Sequence, residues 1–471
     1  MKRSQARLNK MALVIALAGC TMVSATAQNR HDFSVQQAVD YAMKNSVQVK
    51  NALLDVKLQE QTNRDITSAA YPHLNGSISA TYNPNIATQS FPNFIGAATY
   101  QVLESEGVKN GSGAPIVSPA DFGFIQAQFG TKYQANVGLD LSQLLFDGQV
   151  FVGLQARKTS MDWSAKNVDV TKELIKTNIH KVYYQLVVSK TQIELLDANI
   201  ARLKKLEHDT KALYNNGFVE KLDVDRVSVQ VTNLTTEKAK VLNTIATGFL
   251  GLKLLMGMPM KDTVVLTDTI SDEQVKEGVL EIDNNYNYRD RVEYQYAELR
   301  KKLNEYNVKR YKLSQVPTIS LSGNYTKNAQ RNKFDFFNKG DWFTFSSVNL
   351  RINVPIFNGF STRAKIEGAR LQLEQTSNSL ENLKLSIDNE VEAARLSFSN
   401  AIATMNFQRK NMDLAEQVYD QTKKKYESGL GSNLDINAAQ TDLKAAQTNY
   451  ISALYDAIIA RIDYLKAIGK L

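Results

Sequence analysis

The sequence predicts a mostly α-helical protein with a small membrane β-barrel portion, duplicated internally and closed into barrels only as an oligomer. Three observations predict this fold class. One phrase occurs twice, as YNNGFVEKLD from Tyr214 to Asp223 and as YESGLGSNLD from Tyr426 to Asp435. Short segments alternate apolar and polar side chains with the period of two that marks a half-buried strand. Long proline-free stretches carry apolar residues every seven positions, as in helices that pack knobs into holes.

The chain opens with a basic stretch, an apolar run and small residues ending Ala25-Thr26-Ala27. That order marks residues 1–27 as a secretory signal peptide. Leu17-Ala18-Gly19-Cys20 inside it has the form of a lipobox. Two cuts therefore stay open: before Cys20, leaving an acylated N-terminus, or after Ala27, leaving no cysteine. Neither permits a disulfide, because Cys20 is the single cysteine. Past the signal there is no run of about eighteen apolar residues, so no helix is expected to span a membrane.

Two halves follow with the same order of parts: 34–257 and 288–471. Each opens with a strand pair, expected at about 73–83 and 132–146 in the first half and about 317–326 and 347–357 in the second. Tyr133, Ala135, Val137, Leu139 and Leu141 alternate with Gln134, Asn136, Gly138, Asp140 and Ser142. Val348, Leu350, Ile352 and Val354 alternate with Asn349, Arg351 and Asn353. Such segments suit a sheet packed on a helix, and equally a barrel wall with lipid on one side and a watery lumen on the other.

Between the first two strands, about 83–131 reads as a long loop rich in Gly, Ser, Pro and aromatics. In a barrel it faces outside the cell or folds back into the mouth. The loop AQRNKFDFFNKGDW in the second half is shorter; its rings belong either to an interfacial girdle or to ordinary loop packing. Each strand pair ends in a turn, LLFDG or PIFNG, and a helix begins.

The second-half helix is proline-free from Ser361 to Glu427. At 1.5 Å per residue it is a rod of about 100 Å, too long to curl around a globular core. Val391, Phe398, Met405, Met412, Tyr419 and Tyr426 recur every seven, interlocked with Leu373, Leu380, Ile387, Ala394 and Ala401. In the first half, Ile175, Val182, Leu196 and Leu203 interlock with Ile179, Leu186, Ile193 and Ile200. The twin phrases, 214–223 and 426–435, are then hairpin tips. Gly217 and Gly429 supply the freedom to turn. Asp223 and Asp435 stand where the return helices begin, where a carboxylate favours the helix dipole. Between the halves, 258–287 reads as acidic and irregular.

Composition excludes several functions. The formal net charge is +8, but Lys2, Arg3, Arg7 and Lys10 lie in the signal, and the other basic residues are interleaved with acids. That pattern suits solvated helix faces and not a nucleic-acid surface. His31, His73, His180 and His208 show no metal-ligand spacing, and His180 is expected to be solvated. No catalytic constellation emerges, so the protein is read as a non-enzyme without a cofactor.

The strand count carries the main physical constraint. Small spanning barrels need about eight strands, and an open sheet edge in lipid strands backbone groups at several kcal/mol each. The expected strands of one chain are too few, so copies of the chain must complete the barrel.

The strand pair, glycine turn, long helix, glycine tip and return helix, duplicated behind a signal peptide, resemble the TolC-like outer-membrane efflux family. The most specific parts are LLFDG and PIFNG, the YxxG…LD tips and LMGMP at the end of the first half. The resemblance implies a homotrimer in the cell outer membrane, with a twelve-stranded barrel and a helical tunnel in the periplasm. It also implies a belt formed by the inter-repeat segment, a periplasmic adaptor (a membrane fusion protein) and an inner-membrane pump. The duct would be a passive exit for small molecules or proteins. A gate at the tips is implied too: Tyr426 and Asp223 match a linked pair, and Asp435 matches an acid that rings the constriction. Ala438, Gly431 and Leu222 depart from the family's pattern, so that set of links is incomplete. The rival readings are a secreted or surface coiled-coil protein, a periplasmic adaptor and an autonomous porin.

Overall fold

The computed structural model describes residues 29–270, 272–276, 286–337 and 340–471. The signal peptide with its two cuts, at Cys20 and Ala27, lies outside them, as does 277–285 of the inter-repeat segment. In chain order the elements are β1 (Arg30–Phe33), α1 (Val35–Asn45), α2 (Val47–Ser68), β2 (His73–Tyr82), β3 (Thr88–Pro92), α3 (Phe94–Ser105), β4 (Phe124–Gln128) and β5 (Tyr133–Phe146). Then come α4 (Gly148–Asn215), α5 (Lys221–Met256), β6 (Thr263–Leu266), α6 (Asp272–Lys276), α7 (Val292–Leu313), β7 (Thr318–Arg331), β8 (Phe343–Asn353), α8 (Ser361–Glu427) and α9 (Asn433–Ala467). They divide into two compact units, one holding Gln61–Arg157 and Asn304–Leu373, the other holding Lys158–Leu303, Glu374–Leu471 and the described residues up to Glu60.

The strand-bearing unit contains a four-stranded antiparallel sheet in the order β2-β5-β7-β8. Alternation sets its two faces. Leu74 pairs with Leu141, Ile78 with Val137, Leu321 with Leu350 and Ile319 with Ile352, all on one face. That apolar face is bare: Ile78 is 84% exposed, Val348 79% and Leu350 62%. The other face carries Asn136, Asp140, Asn324 and Asn349, with Asn324 Nδ2 donating to Asp140 Oδ1 at 2.6 Å. Strands β2 and β8 are the sheet edges, each hydrogen-bonded on one side.

Three expectations in this unit are corrected. Strand β7 runs on to Arg331, and β8 spans 343–353 instead of about 347–357. Pro355 has no N–H to offer the ladder, so Val354 falls just past the strand end, not on its apolar face. The 83–131 segment, whose conformation the sequence left open, holds an antiparallel hairpin of β3 and β4 and helix α3, capped by Asn93, whose Oδ1 accepts from Gly96 N at 2.8 Å. The turns LLFDG and PIFNG use their glycines differently. A Cβ on Gly148 would sit 2.8 Å from Leu313 Cβ, whereas Gly359 is left-handed at φ 63°.

The helical unit is built on the heptads. Ile175, Ile179, Tyr183 and Leu186 of α4 pack with α1 and with Leu252 and Met256 of α5. Leu380, Ile387, Val391 and Phe398 of α8 pack with Tyr294 and Tyr464. Near the tips one core joins four helices, through Leu203 and Leu206 of α4, Val227 of α5, Tyr419 of α8 and Ile436 of α9.

The inter-repeat segment is more regular than expected. Its Thr263–Leu266 run pairs in parallel with Arg30–Phe33. Tyr183 staples this pair to α4: its hydroxyl donates to Phe33 O at 2.8 Å and accepts from Asp268 N at 3.2 Å. His180 is not solvated. It is half-buried, its Nε2 finds no hydrogen-bond partner, and burial followed by the Lys176 charge lowers its pKa to about 4. Helix α5 is long and apolar enough to cross a membrane by length and composition alone. Its ion pairs with neighbouring helices, Lys238–Asp197 at 2.5 Å and Glu237–Lys444 at 2.6 Å, instead hold it in the bundle.

Candidate functional site

Both hairpin tips end their inbound helix with the same pair of backbone bonds. Phe218 N donates to Leu213 O at 2.9 Å and Gly217 N to Tyr214 O at 2.9 Å. Leu430 N donates to Lys425 O at 2.9 Å and Gly429 N to Tyr426 O at 3.0 Å. This double bond pattern needs a left-handed residue, and Gly217 and Gly429 take φ of 78° and 77°. The twin phrase is therefore a twin Schellman turn.

The two aspartates occupy the third helical position of their return helices. Asp435 completes a capping box: Ser432 Oγ accepts from Asp435 N at 3.1 Å, and Asp435 Oδ2 accepts from Ser432 N at 3.2 Å. The Ser432 hydroxyl also donates to Asp435 Oδ2 at 2.8 Å, and these bonds pull the carboxyl below its ordinary pKa. Asp223 makes no such box, because its N-cap residue is Glu220. It is half-buried and meets Arg226 at 3.8 Å.

Within one chain Tyr426 and Asp223 are not partners. Tyr426 Oη instead lies 3.4 Å from Thr210 Oγ1 of α4. Gly431 fits its turn closely: an added Cβ would sit 3.0 Å from Tyr426 N. A larger residue there must push the turn open. A cavity of about 900 Å³ lies between α4 and α8 beside the tips, lined by Leu206, Phe218, Tyr419 and Tyr426 with Lys205, Asp209 and Lys423 among the charged residues. The tips also bare apolar side chains, with Phe218 77% and Leu430 84% exposed.

One set of residues was missed from the sequence. Asn199 of α4 donates to Gln447 Oε1 at 2.6 Å, and Gln440 Nε2 donates to Asn199 Oδ1 at 3.1 Å, all buried. This amide seam joins the first hairpin to the return helix of the second. Asn433, Asn437, Gln440 and Gln447 recur at heptad-like steps of four, three and seven, a readable sign of polar residues fixing helix register. Among the described residues no group of three or more His, Cys, Asp or Glu is placed to hold a metal ion.

The fold is shared with solved outer-membrane proteins. VceC from Vibrio cholerae matches with a TM-score of 0.68 at 16% identity, over 92% of this chain and 96% of that one. The CmeC outer membrane channel of Campylobacter jejuni matches with a TM-score of 0.70 at 15% identity, over 93% of this chain and 85% of that one. An internally duplicated chain with a strand pair and a helical hairpin in each half thus shares the fold of these solved proteins. Residues 291–470 match the family model described as outer membrane efflux protein. The outer membrane protein TolC of Vibrio cholerae is 19% identical over 341 residues, covering 71% of this chain and 77% of the relative. By sequence the chain is similar to the TolC-like outer-membrane efflux proteins, most clearly over its second half.

Proposed function

We propose that three copies of this chain form a duct through the outer membrane and periplasm, the exit for cargo handed over by a periplasmic adaptor and an inner-membrane pump. The observation that carries the reading is the open sheet, with its apolar face bare and, among the described residues, no strand paired to the outer side of either edge. In lipid each unpaired backbone group costs several kcal/mol. Strand β2 runs antiparallel to β8, so β2 of one copy continues the sheet on β8 of the next without breaking the alternation. Four strands per chain close as twelve; the number three rests on the likeness to the TolC-like family.

Helix α8 adds support. Leu385, Leu396, Phe407 and Leu414 are all more than half exposed, at steps of eleven, eleven and seven. Such a stripe lies along one face of a nearly straight helix and suits a neighbouring copy in a closed tunnel. The exposed tips, with the cavity beside them, suit an adaptor of apolar helical ends. At the tips Asp435 narrows and charges the mouth, and Tyr426 and Asp223 help hold it shut.

The test is purification in detergent followed by mass measurement and planar-bilayer recording. A trimer with cation-preferring channels is expected. A monomer that stays in plain buffer and ignores bilayers overturns the proposal.

A further inference from the structure

The register of β8 puts two aromatic residues on the wrong face for lipid. Pairing with β7 runs from Asn328↔Phe343 to Thr318↔Asn353 without a shift. Val348, Leu350 and Ile352 therefore share the apolar face, and Phe343 and Phe345 share the other with Asn349 and Arg351. That second face is polar along every strand. Phe345 stands in a row with Thr326, Gly138 and Ser77. The next row holds Ser347, Asn324, Asp140 and Asn75.

The lipid side of this end already has its own rings. Tyr82 stacks on Tyr133 at 4.9 Å, and Phe334 meets Tyr133 at 5.9 Å. Tyr82 and Tyr133 belong to the apolar face, which suits an interfacial girdle. Phe343 and Phe345, 57% and 59% exposed, stand apart from that cluster on the polar side.

Resting on the duct reading, we propose that Phe343 and Phe345 form an aromatic subsite in the lumen at the outer mouth, taking flat hydrophobic molecules and favouring aromatic cations. The shape fits: beside Phe345 the row holds only the small side chains of Thr326 and Ser77, whose hydroxyls close over Gly138 at 3.0 and 3.1 Å from where its Cβ would stand, so the exposed rings edge a low polar floor, a shallow bay. The chemistry fits as well. A ring face attracts cations and stacks on planar groups. The Asp140 carboxylate, one row away, supplies negative charge to the same wall.

The experiment uses the intact protein in outer-membrane vesicles, with Thr326→Cys reporting on the bay and Leu350→Cys on the opposite face. A charged, membrane-impermeant thiol reagent should modify Thr326→Cys about ten-fold faster than Leu350→Cys, since one face meets water and the other lipid. Tetraphenylphosphonium should slow the first reaction about three-fold by occupying the bay, and Phe343→Ala with Phe345→Ala should abolish that protection while tyrosine at both positions keeps it. Equal modification of both cysteines would mean the sheet is not in lipid, and the duct reading itself falls. Faster modification of Leu350→Cys would reverse the sidedness. Fast modification of Thr326→Cys without protection, or protection that survives both alanines, overturns the subsite and leaves the duct standing.

Discussion

Tyr426 of the second hairpin reaches across to Thr210 of the first, Oη to Oγ1 at 3.4 Å, and Thr210 is fully buried. The bond is long, so its net worth lies at the low end of the range, about 0.5–1 kcal/mol. It ties the two hairpins near their tips. If the tips open by parting, Tyr426→Phe should raise the open fraction of single channels by about two- to five-fold, the same free energy expressed as a ratio. Planar-bilayer recording reads this directly, and an unchanged open fraction would leave the pair as packing only.

Asp435 serves its helix and, in the proposed duct, the pore. Asp435→Asn keeps an acceptor for Ser432 but removes the charge. Cation preference should fall while thermal stability holds; Asp435→Ala should lower both. The pH dependence has a definite sign. The folded pKa lies below the ordinary aspartate value of about 3.9, chiefly because Ser432 donates to the carboxylate. The stabilising contribution is present above that ordinary value and is lost only as pH falls through the lower, folded value. Reversal potentials in a salt gradient should therefore keep their cation preference down to about pH 4, since the group stays ionised there.

The glycines separate backbone strain from crowding. Nothing lies within 4 Å of a Cβ added at Gly217, Gly429 or Gly368, but the first two have φ near 78° and Gly368 is inside α8. Alanine at either tip should cost about 1–2 kcal/mol for the left-handed conformation. Alanine at Gly368 should stabilise by about 0.5–1 kcal/mol. Thermal melts of the three variants in one detergent check the contrast.

The long periodic parts were legible because many residues repeat one message. The rod from Ser361 to Glu427 is a single helix, and Phe398 and Met405 are buried as their heptads require. The twin tips were legible because Gly217 and Gly429 sit in matching phrases. What stayed hidden was short or non-local. Phe343 and Phe345 are apolar residues on a polar face, so they broke the alternation and concealed the start of β8. Thr263–Leu266 is only four residues long and is a strand through pairing with Arg30–Phe33. The partners Asn199 and Gln447 lie 248 positions apart, and nothing local announces that they meet. Tyr426 had a sequence-based partner in Asp223, but one chain alone brings it to Thr210.

The Tyr183 staple should fail in alkali and not in acid. Its hydroxyl joins Phe33 and Asp268, and Tyr183→Phe leaves two backbone groups short of a partner, at about 1–3 kcal/mol. Burial, foremost, raises the tyrosine pKa to about 12. A raised pKa means the contribution is complete below the unfolded value of about 10 and is lost as pH rises through the folded one. Hydrogen exchange at residues 30–33 and 263–266 should be unchanged between neutrality and about pH 10, allowing for intrinsic rates. In Tyr183→Phe the same amides should exchange faster at every pH.

Leu350 and Asn349 are neighbours in β8 with opposite surroundings in the proposed duct, and a single arginine at each discriminates between them. On the lipid side near mid-membrane, Leu350→Arg should cost about 2–4 kcal/mol and block insertion. In the lumen, Asn349→Arg remains in water on the face that already holds Arg351, so insertion should proceed. Three added charges around a narrow passage should then shift ion preference toward anions. The amount of oligomer recovered from the outer-membrane fraction measures the first effect and the reversal potential the second. If both variants insert equally well, the apolar face does not meet hydrocarbon, and the argument that one chain must borrow strands from its copies loses its premise.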